Sequence, residues 1–228
     1  NASLVAIDPS TGQILAMIGS RNFFDKEIDG QYNATLALRQ PGSTMKPFIY
    51  SLALMRGYTR DTVIFDTPTQ FSTACEPSDN FNNTTPCYAP KNYADDFRGP
   101  MTFETALAQS INIPAIKVLY LVGIQNAIDL AKSFGLATLG DPNQYGLTLV
   151  LGGGEVRLLD LTSAYAVFAN DGVKNPPTGI LEVVDARGNV FVPYPQQPSL
   201  VLPENIARDM SAMLSDAPAR LPVYPLNS

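Results

Sequence analysis

Ser43 and Lys46, inside the run Arg39-Gln40-Pro41-Gly42-Ser43-Thr44-Met45-Lys46-Pro47-Phe48, set a hydroxyl and an amine three residues apart. On a helix that spacing brings both to one face. A serine hydroxyl is a poor nucleophile at neutral pH unless a general base lies within hydrogen-bonding reach. The chain contains no histidine, so a Ser-His-Asp triad is excluded. Lysine is the remaining common base, provided that burial or nearby positive charge disfavours its ammonium form.

The bare S-x-x-K spacing is weak, because a chain with this serine and lysine content shows it by chance about one time in three. A coincidence on a solvated helix face is the competing explanation. The setting argues against it. Gly42 permits close backbone approach just before the serine. Phe48, Ile49, Leu52, Leu54 and Met55 follow with near-helical spacing until Gly57, which predicts a helix whose first turn, and with it Lys46, is buried.

The stretch from Ala34 to Tyr50, ATLALRQPGSTMKPFIY, resembles the transpeptidase domain of penicillin-binding proteins, most closely the class A bifunctional ones. So do SLVAIDPSTGQILAMIGS at the start, TFETALAQSINIPAIKV in the middle, and LGGGEVRLLDLTSAYAVFANDGV after it. That family carries three motifs, S-x-x-K, S-x-N and K-T-G. The resemblance implies an α+β fold of the penicillin-binding protein/serine β-lactamase type, a helical lobe plus an antiparallel sheet, with no cofactor and no metal.

Three segments satisfy S-x-N: Ser20-Arg21-Asn22, Ser78-Asp79-Asn80 and Ser110-Ile111-Asn112. The first precedes the nucleophile, against the family's order. The second is the literal S-D-N, but it lies in a Pro-, Asn- and Thr-rich loop too close behind Ser43. The third sits in an apolar helical stretch with Thr102 as a candidate N-cap. A polar pair there is costly without partners, so it either caps a turn or faces a polar cleft. Pro114 marks a local break that would turn both side chains toward Ser43. By resemblance, Ser110 relays a proton to the leaving amine, while Asn112 holds substrate and keeps Lys46 in place.

The third motif is missing. None of Lys26, Lys46, Lys91, Lys117, Lys132 and Lys174 is followed by Thr-Gly or Ser-Gly. In the family that strand supplies a cation for the substrate carboxylate and an oxyanion-hole donor, and loss of one such donor costs roughly two to three orders of magnitude in rate. The tail from Glu182 onward resembles what precedes the K-T-G strand. The expectation is therefore that residues 1–228 form one transpeptidase domain, C-terminally incomplete, whose sheet lacks strands and which is unstable alone.

The elements follow from pattern. Residues 3 to 19 read as a β-hairpin around Asp8-Pro9-Ser10-Thr11-Gly12. Helices are predicted at 102–122, 125–134 closed by Gly135, 155–170 closed by Gly172, and 203–215. Residues 58–101, with Pro68, Pro77, Pro86, Pro90 and Pro100, read as loop bordering the cleft. Residues 179–202 read as a hairpin around Arg187-Gly188-Asn189. Gly152-Gly153-Gly154 lacks a following Gly-Lys-Ser/Thr and so reads as a tight turn rather than a phosphate cradle. Tyr32-Asn33-Ala34-Thr35 departs from the family, which often carries an Arg after this Asn.

At 228 residues and 45% hydrophobic content the chain can bury a core as one domain. Its net charge of −6 gives no electrostatic footprint for nucleic acid. No apolar run approaches the eighteen or so residues of a membrane span. The membrane anchor and glycosyltransferase domain that the resemblance implies lie outside these residues. Cys75 and Cys87, the only cysteines, flank a polar loop unable to hold itself by packing. A disulfide there would constrain the unfolded chain by about 3 kcal/mol and suits an extracytoplasmic site; two free thiols in a reducing compartment are the alternative.

The resemblance implies a D,D-transpeptidase: Lys46 activates Ser43, which attacks a D-Ala-D-Ala stem peptide of peptidoglycan, and an amine on a neighbouring peptide takes the acyl group. β-Lactams would enter as mimics and remain attached. Two rivals stand beside it. A D,D-carboxypeptidase or β-lactamase would activate water, with Glu155 or Glu104 as the nearest carboxylates. A catalytically inert cell-wall binding module would carry the motifs as relics.

Overall fold

The computed structural model describes residues 1–94, 96–192 and 197–224. In chain order these form β1 (Leu4–Ile7), β2 (Ile14–Ile18), β3 (Leu38–Arg39), α1 (Lys46–Met55), β4 (Val63–Asp66), β5 (Gly99–Thr102), α2 (Phe103–Ala108), α3 (Asn112–Val122) and α4 (Ile124–Phe134). They continue with β6 (Val156–Arg157), α5 (Leu158–Ala169), β7 (Val173–Lys174), β8 (Val183–Val184), β9 (Val190–Val192), β10 (Ser199–Leu200), α6 (Glu204–Ser215) and α7 (Ala217–Arg220). The class is α+β. Among the described residues the strands pair only in antiparallel twos, β1–β2, β3–β6, β4–β5, β7–β10 and β8–β9, so the sheet content is fragmentary.

Two compact units are present. One comprises Asn1–Gln40, Ile128–Gly140 and Gly154–Ser211. Its β1–β2 hairpin turns on Asp8, whose carboxylate accepts from Ser10 N (2.9 Å) and whose carbonyl accepts from Gly12 N (2.8 Å). Asn33 Oδ1 accepts from Thr35 N and from Thr35 Oγ1, so the stretch that departs from the family is a capped single turn over a buried threonine. Phe134 and Phe168 pack with ring centroids 5.3 Å apart in a core that includes Ala164, Val167, Leu202 and Ala207.

The other unit comprises Pro41–Ala127, Asp141–Gly153 and Ala212–Ser228. Its centre is α1, packed on α3. Every residue of α1 from Lys46 to Leu54 is buried, so the expected apolar stripe is a helix enclosed on all sides, and only Met55 emerges. Tyr50 stands edge-on to Phe103 of α2, their centroids 5.4 Å apart.

Three expectations need correction. The 102–122 helix is two helices, α2 and α3, separated at Gln109-Ser110-Ile111. Pro114 does not make the break: it lies in the first turn of α3, where an N–H has no intrahelical acceptor to lose. The 58–101 loop is not wholly irregular, because Val63–Asp66 and Gly99–Thr102 zip its two ends together. The hairpin expected over 179–202 is confined to β8 and β9, while β10 pairs with β7 instead; residues 193–196 of that segment lie outside the described residues.

Candidate active site

Ser43 lies in a 3-10 turn, Gly42–Met45, that runs directly into α1, and Lys46 N donates to Ser43 O across it. Thr44 Oγ1 donates to Pro41 O (2.6 Å) and steadies the same turn. Gly42 enters it at a φ of +61°, and Gly152 backs it so closely that a Cβ on Gly152 would stand 2.1 Å from Gly42 N. The nucleophile's turn is thus held backbone against backbone, as Gly42 and Gly152 both permit. Ser43 is exposed; Lys46 is 1% exposed.

The Lys46 amine has three partners: Ser110 O at 2.6 Å, Asn112 Oδ1 at 2.9 Å and Ser110 Oγ at 3.2 Å. Burial pushes its pKa down to about 8. An amine so placed is uncharged in a usable fraction near neutral pH, which a base requires. Among the described residues it makes no hydrogen bond to Ser43 Oγ; the amine is drawn toward Ser110 and Asn112. Such contacts are often long before substrate is bound.

Ser110 owes its position to how α2 ends. Its N–H donates to Leu107 O (2.9 Å), and that of Ile111 donates to Ala106 O (3.0 Å). These two bonds are the Schellman pattern, in which the residue after the C-cap adopts the left-handed conformation normally given to glycine. Ser110 takes it, with φ of +56°. A serine there is strained, and strain of this kind is kept where surrounding structure over-determines it. The reward is geometric: the turn aims both the carbonyl and the hydroxyl of one residue at Lys46. Ser110→Gly is accordingly expected to raise stability by about 1 kcal/mol in urea denaturation, by relieving the strain, while slowing acylation of Ser43. Unchanged stability would show that the left-handed serine costs nothing.

Asn112 opens α3. Its Nδ2 donates to Lys91 O (3.2 Å), which turns Oδ1 toward Lys46. The backbone N–H groups of Asn112 and Ile113 donate to Asn92 Oδ1 at 3.1 and 3.2 Å, and Asn92 Nδ2 reaches the buried Asp66 carboxylate at 2.8 and 2.9 Å. Asn92 and Asp66 had no local sequence signal, since each acts across more than 20 residues. The other S-x-N segments serve elsewhere. Ser20 Oγ donates to Gly30 O, and the Asp79 carbonyl accepts from Gln70 Nε2. Glu104 is bonded to Arg60, and Glu155 is exposed in the unit that does not hold Lys46. Cys75 and Cys87 are joined, Sγ to Sγ at 1.98 Å, in the loop between β4 and β5.

Residues 2–220 match the family described as penicillin binding protein transpeptidase domain. Penicillin-binding protein 2D of Bacillus subtilis is 35% identical over 92% of this chain, and penicillin-binding protein 1A of Aquifex aeolicus is 37% identical over 89%. The chain spans 28% and 26% of those two proteins' lengths. The crystal structure of penicillin-binding protein 1A from Haemophilus influenzae superposes with a TM-score of 0.70 at 31% identity, covering 86% of this chain and 27% of that one.

Proposed function

Because the chain belongs to the penicillin binding protein transpeptidase domain family, we propose that it supplies the acylating centre of a peptidoglycan D,D-transpeptidase, with Ser43 as nucleophile. The observation that carries this is the buried Lys46 amine, held by Ser110 and Asn112 one turn behind Ser43. In the first step Lys46 Nζ removes the proton from Ser43 Oγ as Oγ bonds to the penultimate D-Ala carbonyl carbon of a stem peptide. As the tetrahedral species collapses, the proton passes from Lys46 through Ser110 Oγ to the departing D-Ala amine, and the C–N bond breaks. Asn112 keeps Lys46 aligned and offers its amide to the substrate backbone. An amine of a second stem peptide then attacks the ester carbonyl carbon, its proton passes through Lys46 to Ser43 Oγ as the C–Oγ bond breaks, and a cross-link is left.

Glu104, one of the carboxylates that a hydrolase would need for activating water, is engaged with Arg60. The absence of Lys-Thr-Gly from these 228 residues bears on where the substrate carboxylate is held, so activity is best measured with native flanking sequence present. The action takes place outside the cytoplasm, where its substrate lies.

The test is intact mass after incubation with benzylpenicillin. A single covalent adduct that Ser43→Ala abolishes is the expected result. A folded wild-type protein with no adduct would remove the acyltransferase reading and leave a binding module.

A further inference from the structure

We propose that Asn92, held in place by Asp66, is a positioning residue for acyl transfer, acting through Asn112 on Lys46. The inference rests on the reading of Ser43 and Lys46 as nucleophile and base. The first N–H groups of a helix have no intrahelical acceptor, and a nearby Ser, Thr, Asp or Asn usually supplies one. At the start of α3 the N-cap is Ile111, which can supply none. The acceptor comes instead from Asn92, 20 residues earlier, whose single Oδ1 takes the N–H groups of both Asn112 and Ile113.

A local cap would satisfy α3 equally well. What it would not do is tie the start of α3 to residues 91 and 92, where Lys91 O also takes Asn112 Nδ2. Between them, Lys91 and Asn92 fix Asn112 by its backbone and by its side-chain amide. Oδ1 is then the one polar atom of that side chain left for Lys46.

Asn92 is itself fixed to an unusual degree. It is 7% exposed, and its Nδ2 donates to both oxygens of Asp66 and to Asp96 O (2.7 Å). Asp66 is 0% exposed and accepts Arg98 N (2.9 Å) as well. Burying a carboxylate is costly unless its hydrogen bonds are strong and complete. A helix that needed only capping has no use for one. The charged group facing Asp66 from α3 is Lys117, whose amine is bonded to Phe65 O and Thr67 Oγ1. The chain of contacts Asp66, Asn92, Asn112, Lys46 therefore runs from a buried, fully bonded carboxyl group to the amine that must meet Ser43.

The experiment uses the protein with its native flanking chain, and follows two readouts in Asn92→Ala and in the isosteric Asp66→Asn. One is the rate of Ser43 acylation by benzylpenicillin. The other is titration of Lys46 by the NMR shift of its 13C-labelled ε-carbon, assigned through Lys46→Arg. Displacement of catalytic groups by about 1 Å costs on the order of a hundredfold in rate, the loss expected for Asn92→Ala, with a smaller loss for Asp66→Asn. Freed from Asn92, Asn112 Oδ1 is a poorer acceptor for the ammonium form, so the Lys46 midpoint moves below that of the wild type. A merely loosened fold would admit water and move it upward. An unmoved or raised midpoint in a folded variant overturns the proposal, as does failure of both variants to fold. If the wild type forms no adduct, the acyltransferase reading falls and the Lys46 titration alone decides this one.

Discussion

Lys46→Arg is expected to lower the rate constant for Ser43 acylation by about three to four orders of magnitude while the protein stays folded. A guanidinium preserves the positive charge and can donate to Ser110 and Asn112, but it does not lose a proton at any working pH. What disappears is the base alone, and positioned bases contribute up to about four orders of magnitude. Lys46→Met, close in length and without the amine, should lose as much. In the wild type the same rate should climb with pH and level off above about 8, where the Lys46 amine is neutral. On the acid side it should fall about tenfold per pH unit. The sign follows from burial disfavouring the charged amine: the active form is the deprotonated one, so activity is lost as pH drops through that value. Stopped-flow acylation with a chromogenic β-lactam across pH 6 to 10 measures both effects. A residual rate in Lys46→Arg within tenfold of wild type would place the base elsewhere.

Gly152→Ala should damage both the fold and the placement of the nucleophile. Its φ is +89°, where an L side chain is strained by about 1 to 3 kcal/mol. Its Cβ would stand 2.1 Å from Gly42 N and 2.4 Å from Gly42 Cα, a backbone clash that costs a further 1 to 3 kcal/mol or so to relieve. Relief means moving Gly42, and Ser43 with it, so acylation should drop by about a hundredfold in whatever fraction remains folded. Gly146→Ala separates the two effects. Gly146 also has a positive φ, +52°, but nothing lies within 4 Å of its added Cβ. It should lose stability from strain and keep its acylation rate. Equal rates in the two variants would show that the Gly152 contact does not place the nucleophile.

Much of the architecture could be anticipated where local chemistry is strong. The turn and helix carrying Ser43 and Lys46 announced themselves by Gly42 and by the apolar run after Lys46. Thr102 caps α2, accepting from Thr105 N at 3.1 Å, as its position before the helix predicted. The break at Ser110 was harder, because the residue that makes it is a serine in a conformation that sequence reading assigns to glycine. The β4–β5 pair was hidden by Pro100, whose missing N–H argues against a strand except at an edge. Asn92 and Asp66 were out of reach for a different reason. Their work is done on residues far along the chain, and nothing in the loop's own composition marks which of its many polar side chains turns inward.

The pairing of β4 with β5 also separates two fates along one loop. Val63–Asp66 and Gly99–Thr102 clamp the stretch at its base, and Asn92 and Arg98 lie close to that clamp. Lengthening a loop whose ends are already joined costs only about 0.6 kcal/mol per doubling. Extra residues near Ser78 would therefore leave the β4–β5 pairing itself intact, while disturbing the bonds from Gln70 Nε2 to Asp79 O and Asn82 O and the Phe81–Phe97 ring contact. The far end of the loop is held by its own disulfide and local bonds, so a change there is absorbed between Cys75 and Cys87 while the chemistry at the root stays in register.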